Sequence, residues 1–201
     1  MKYLSNHPML IMLIILFLSI KTQAHEIPFG KPDVNKFDRQ KGNFSAWLAG
    51  KEIATNIIST LEIAGRIVKS NQYTKRIYTS QHYSDGLGKG KKHIIKLSGV
   101  GLPNLQQIIY TYPNHDYFIV QLVVSGPGLK TNHMVPIEAI HKTHFDYADL
   151  TTLIAPFDND TFISYDAKSF AQTNQSVSAE VGASYHNTSR NDLIMGSLQQ
   201  S

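Results

Sequence analysis

The sequence predicts an all-β protein, an antiparallel β-sandwich, and three observations carry that expectation. Short apolar runs rich in Ile, Val, Tyr and Thr recur along the 201 residues, separated by Gly, Pro, Asn and Asp turn formers. One pair of runs reads directly as a hairpin: "LQQIIYTY" (105–112), the turn "PNHD" (113–116), then "YFIVQLVVS" (117–125). No long amphipathic helix, heptad pattern or internal repeat competes with this reading.

The N-terminus comes first in the chain and reads as an address. Lys2 precedes "MLIMLIILFLSI" (9–20), apolar except for Ser19, and Thr22-Gln23-Ala24 offers a cleavage point. That order is a secretory signal peptide over residues 1–24. A spanning helix needs ~20 apolar residues, and the run is shorter, so no stable membrane anchor is expected. Cysteine is absent, which excludes a lipid-anchored lipoprotein and disulfide stapling and leaves the core to carry stability alone. The expected location is secreted or periplasmic.

Residues 25–45, polar with two prolines, read as an irregular lead-in, and 46–201 as the sandwich domain, incomplete at its C-terminal end. "AWLAGKEIA" (46–54) and "NIISTLEIA" (56–64) open the apolar pattern, and the second suits a short helix or a strand equally. "GLGKGKKH" (86–93) reads as a solvated turn, followed by the strand "HIIKLSG" (93–99). In 117–125 both faces are largely apolar, as in a central strand, and Gly126-Pro127-Gly128 ends it. "HMVPIEA" (133–139) reads as an edge strand because Pro136 lies inside it. "LTTLIAP" (150–156), "FDND" (157–160) and "TFISY" (161–165) follow, then a loop, "DAKSFAQTNQ" (166–175). Strict alternation from Ser176 puts Val177, Ala179, Val181, Ala183 and Tyr185 on one face of a strand. Polar turn formers (186–192) lead to a last apolar run, Leu193, Ile194 and Met195, an edge strand lacking its next partner and open to self-association.

Charge narrows the partners. The formal net charge is +4, and removing residues 1–24 takes away Lys2 and Lys21 and no acid. So mild a balance, with scattered basic residues, does not point to nucleic acid. Chemistry-bearing motifs are sparse. "HKTH" (141–144) with Asp146 lacks helical periodicity, an adjacent Glu and a third His, so it reads as loop histidines rather than zinc ligands. Asp158 and Asp160 lie one residue apart as in calcium loops, but the turning Gly and bidentate Glu are missing. A glycosidase pair must flank its bond at ~5–9 Å, which spacing within one loop does not establish. No G-x-S-x-G elbow occurs, and "GLGKGKK" lacks the G-K-S/T of a phosphate loop. Neither a catalytic residue, a metal nor a cofactor is expected. Trp47 and the ten tyrosines are of the type that stacks on sugars, although at strand spacing most aromatics serve a core.

Two segments carry a likeness. "PFDNDTFISY" (156–165) and "SAEVGASYHNTSRNDLIMGSL" (178–198) resemble the N-terminal β-sandwich region of exported α-galactosidase-like (melibiase-type) glycoside hydrolases. In that family an F-D-N-D-x-aromatic-x-x-Y segment precedes a strand, and an N-x-S-R-N/x-G-L-type turn and a G-S strand come next. Here Asp192 stands where such turns often carry Gly. The resemblance implies a supersandwich-like fold and a (β/α)₈ catalytic barrel further on, which takes ~250 residues. The family's two catalytic aspartates sit on that barrel, so no residue here inherits them. Asp158, Asn159, Asp160, Tyr165, Asn187, Arg190 and Asn191 match the motif positions and would line a sugar-facing or interdomain edge, with Trp47 a further sugar contact. The function so implied is a non-catalytic sandwich of an exported hydrolase, its partner a carbohydrate or a downstream barrel. The alternative is a free-standing periplasmic carbohydrate-binding module.

Overall fold

The computed structural model describes residues 24–30, 33–141, 150–155, 166–169, 181–186, 188 and 192–196. The signal-peptide reading lies outside the described residues. What is described is strand, with one short 3₁₀ turn, Ser70–Gln72.

Two antiparallel sheets build the first part of the chain. The larger contains β1 (His25–Pro28), β2 (Val34–Asp38), β3 (Asn43–Leu48), β4 (Lys51–Ile63) and β10 (Thr131–His141) in that spatial order, with β5 (Arg66–Lys69) paired to the end of β4. The smaller is a meander of β6 (Lys75–Asp85), β7 (Gly88–Ser98), β8 (Asn104–Thr111) and β9 (Phe118–Ser125). Ile27, Phe37, Phe44, Ile57 and Leu61 from the larger sheet pack on Ile95, Leu97, Leu105, Ile109 and Leu122 from the smaller, forming one buried core. The protein is an all-β sandwich, as expected.

The irregular lead-in is not irregular. Residues 25–45 supply β1, β2 and the start of β3, and they pair in register from His25↔Phe37 through Asp38↔Asn43. Their inward positions, Ile27, Asn35, Phe37, Phe44 and Ala46, are buried, and the outward charges at Lys36 and Asp38 are the solvent half of the alternation. The ambiguous 56–64 run is strand. Ile57 to Leu61 are buried one after another, so both faces of β4 are screened from water there and the alternation that marks a strand is lost.

Turn chemistry sets the hairpins. Ala49-Gly50 (φ 48° and 77°) and Ala64-Gly65 (φ 49° and 74°) are two-residue loops with both residues left-handed, the type I′ geometry that matches strand twist. Asn56, also left-handed at φ 50°, sits where the β4 register slips against both neighbours, and its Oδ1 accepts from Asn43 Nδ2 at 2.9 Å. Pro136 falls at a bulge of the edge strand β10, as its missing N–H requires, and its carbonyl accepts from Ser59 Oγ at 2.7 Å.

Two further expectations are corrected. The segment 86–93 is a turn only at Gly86-Leu87; from Gly88 onward it is the β7 strand, paired with β6 at each residue from Gly88 to Ser98. The 105–125 hairpin is present, but β9 is an edge strand rather than a central one. Its outward apolar residue Val123 is 36% exposed.

The chain divides into two units between Lys142 and Thr143 rather than forming one sandwich over 46–201. The second unit contains a four-stranded antiparallel sheet, β12 (Asp166–Ser169), β11 (Leu150–Ile154), β13 (Val181–His186) and β14 (Asp192–Gly196) in that order. The first residues of the expected 166–175 loop are therefore strand. The final hairpin is present, with Val181↔Gly196 through Tyr185↔Asp192. Val181 is nevertheless exposed, so its alternation does not mark a buried face. β14 is the edge of its sheet, with Ile194 68% and Met195 56% exposed.

Candidate functional site: a tyrosine face on the smaller sheet

In the smaller sheet, register assigns every side chain to a face. His93, Ile95 and Leu97 point into the sandwich, so Lys92, Ile94 and Lys96 point out. Across the ladder Lys92 lies opposite Tyr110 and Gln81, and Tyr83 opposite Gly90. The outer face thus collects Tyr83, Lys92 and Tyr110 from three adjacent strands. The Tyr83 and Tyr110 rings are 4.9 Å apart, tilted by 56°. Lys92 Nζ stands 5.5 Å from the Tyr110 ring centroid, and the Tyr110 hydroxyl donates to Gln121 Oε1 at 2.7 Å.

Gly90 is what lets this face form. A Cβ there would sit 2.3 Å from the Thr111 carbonyl oxygen and 2.9 Å from Tyr112 Cδ1. Without it the buried Tyr112 ring lies against β7 and reaches the β6–β7 turn, where its hydroxyl donates to Asp85 Oδ2 at 2.6 Å. That bond, the largest influence on Asp85, holds its carboxyl below the usual range, and backbone N–H groups of Leu87 and Gly88 act in the same direction. Burial pushes the Tyr112 hydroxyl up, with the Asp85 carboxylate adding to the effect. Beside the turn, His82, Tyr83, Ser84, Lys89 and Gly90 line an open groove of about 400 Å³. Tyr112 also packs on His115 and Tyr117, extending the aromatic surface toward the β8–β9 turn.

A second polar cluster lies inside the sandwich. His93 is 3% exposed; its Nδ1 is hydrogen-bonded with the Tyr78 hydroxyl (2.7 Å) and its Nε2 with Thr111 Oγ1 (3.1 Å). The His25 ring stacks on Tyr78 at 3.8 Å. Burial first, then the charges of Lys91 and His25, depresses the His93 pKa to about 4, so the ring is neutral at pH 7. Both ring nitrogens are engaged by hydroxyl partners, and neither is directed at an open site. Elsewhere Gln107 Nε2 donates to the buried Ser59 Oγ at 2.7 Å, tying the two sheets together through a side-chain bond. Among the described residues no three His, Asp, Glu or Cys side chains converge as a metal site would need.

Of the residues singled out from sequence, Asp158, Asn159, Asp160, Tyr165, Asn187, Arg190 and Asn191 lie outside the described residues, as do His144 and Asp146. Trp47 is described. It lies on β3 of the larger sheet, donates Nε1–H to Ser45 Oγ at 2.8 Å, and has Lys36 Nζ 4.2 Å from its ring centroid. One of its ring faces is therefore already covered. Sequence reasoning did not single out Tyr83 and Tyr110; they stand on β6 and β8, two strands brought side by side only through β7 between them, so no local pattern links them. No family model, curated protein or solved structure matches the chain.

Proposed function

We propose that this protein is an exported carbohydrate-binding β-sandwich that receives a glycan on the outer face of its smaller sheet. Tyr83 and Tyr110 carry the reading. Their rings are half-buried, held by neighbours rather than by the core, and sit on a face that also presents Lys92 and Gln121. Aromatic rings of this kind pack on the C–H-rich face of a pyranose, and flanking amide and ammonium donors meet its hydroxyls. Rings fixed by strand register lose little conformational freedom on binding, which favours a platform over a mobile loop. The buried His93 and Ser59 have no open approach, so the reading is of binding and not of turnover.

Affinity electrophoresis of the intact protein across a glycan panel tests this. Retardation by at least one polysaccharide is expected, lost in Tyr83→Ala and Tyr110→Ala and kept in Trp47→Ala, whose ring Lys36 already covers. Absence of retardation throughout overturns the reading. The open edge of β14 favours a second one, a non-catalytic sandwich belonging to an α-galactosidase-like hydrolase, in which that edge meets further chain. It predicts no glycoside turnover by this chain alone, and hydrolysis of a glycoside by the purified protein would end the idea.

A further inference from the structure

Charge is divided unequally between the two sheets of the sandwich. The four strands of the smaller sheet carry six cations, Lys75, Arg76, Lys89, Lys91, Lys92 and Lys96, and one carboxylate, Asp85. The six strands of the larger sheet carry four cations and five carboxylates. Ion pairs follow the same division. Lys36–Glu26, Lys41–Asp38 and Lys69–Glu138 all belong to the larger sheet and its turns, and among the described residues no lysine of β7 is in an ion pair. The single local carboxylate, Asp85, is committed to the Tyr112 hydroxyl. Arg76 is spent internally, donating to the carbonyls of Arg39, Gln40 and Asn71.

Among the described residues, then, the four lysines of β7 have no anionic partner, and two of them share the outer face with the tyrosines. Lys92 and Lys96 are four residues apart, about 13 Å along the strand at ~3.3 Å per residue. A ligand lying along the outer face of β7 would pass Lys96 and Lys92 in turn, with Tyr110 and Tyr83 beside it. Resting on the carbohydrate-binding reading above, we infer that the ligand is an acidic polysaccharide, one with a carboxylate or sulfate at regular intervals. The repeated negative charge would draw Lys92 from its place over the Tyr110 ring, exposing that ring to the sugar at the same step. The stacking aromatics give such a chain more than a plain polyanion, which has no pyranose face to place on them.

The test uses the intact protein with three probes: polygalacturonate, a neutral glucan and single-stranded oligo-dT. Polygalacturonate is expected to bind tightest, with affinity falling ~10-fold or more as salt rises from about 50 to about 300 mM. Lys92→Gln/Lys96→Gln should weaken it by ~10-fold, judged against removal of two favourable charge contacts. Lys51→Gln on the larger sheet should leave binding unchanged. Equal, salt-insensitive binding of polygalacturonate and the neutral glucan would overturn the inference while leaving the carbohydrate-binding reading intact. Failure to bind either glycan would overturn both. Binding of oligo-dT as tight as polygalacturonate would also overturn the inference, in favour of an indiscriminate polyanion surface. Matching melting temperatures for the variants and the parent exclude unfolding as the cause of any loss.

Discussion

Lowering the pH below neutrality forces a proton onto a group the fold keeps neutral. His93 is buried among Tyr78, Thr111, His25 and Lys91, and its folded pKa of about 4 lies below the 6.5 of an ordinary histidine. The unfolded chain therefore takes up a proton as pH falls through 6.5, and the folded chain does not until about 4. Between those values the unfolded state binds more protons, so stability declines with falling pH and levels off below the folded value. At ~1.4 kcal/mol per pH unit the full span is worth at most about 3.5 kcal/mol, and relaxation around the ring brings the expectation to ~2 kcal/mol. His25, also depressed by burial and by Arg39, acts in the same direction. Asp85 and Glu138 have folded pKa values below the usual carboxylate range, so their contribution is present above the unfolded carboxylate values near pH 4 and is lost only below them. The two windows are thus separable. Urea midpoints taken from about pH 7.5 down to about pH 4.5 should fall in the parent and fall less steeply in His93→Gln, where only the contribution of His25 remains and which starts ~1–2 kcal/mol lower through lost hydrogen bonds. An undiminished pH slope in that variant would refute the argument that burial of this ring is responsible.

Three other expectations concern packing and edges. Gly90→Ala places a methyl 2.3 Å from the Thr111 carbonyl oxygen and should destabilise by ~2 kcal/mol or more. Gly86→Ala, with nothing within 4 Å, is the thermal-melt control and should be close to neutral. Ser59→Ala strands both the Gln107 amide and the Pro136 carbonyl inside the sandwich and should lower stability by ~1–3 kcal/mol in urea unfolding. Ile194→Lys puts a charge on the exposed edge of β14 and should shift sedimentation toward monomer if the parent self-associates there; identical profiles at high concentration would count against that edge as a contact.

Legibility depended on how each strand meets water. The 105–125 hairpin was plain because a four-residue turn separates two β-rich runs, yet the central position expected for β9 came from apolar Ile119 and Val123, which face outward on an edge strand. Residues 25–45 were obscured by prolines and by a polar inward residue, Asn35, in the middle of the alternation. "NIISTLEIA" was undecidable because burial on both sides erases periodicity. The tyrosine face was illegible for a different reason. Tyr83 and Tyr110 become neighbours only through two successive strand registers, and the open space at Gly90 that admits Tyr112 is not a property of any local pattern.

The pairing of β4 with β10 also dictates an order of events. Thr131↔Ile63 through His141↔Ala54 bracket the entire β6–β9 meander, whose own strand pairings are all between sequence neighbours. The meander closes only short loops, whereas β10 must wait for a long one, and loop-closure entropy makes distant pairings slow. The acquisition of exchange protection during refolding should therefore begin in β7 and β8 and finish in β10. A chain emerging from the ribosome or a translocation pore would carry β4 with one flank bare until some seventy residues later its last companion arrives.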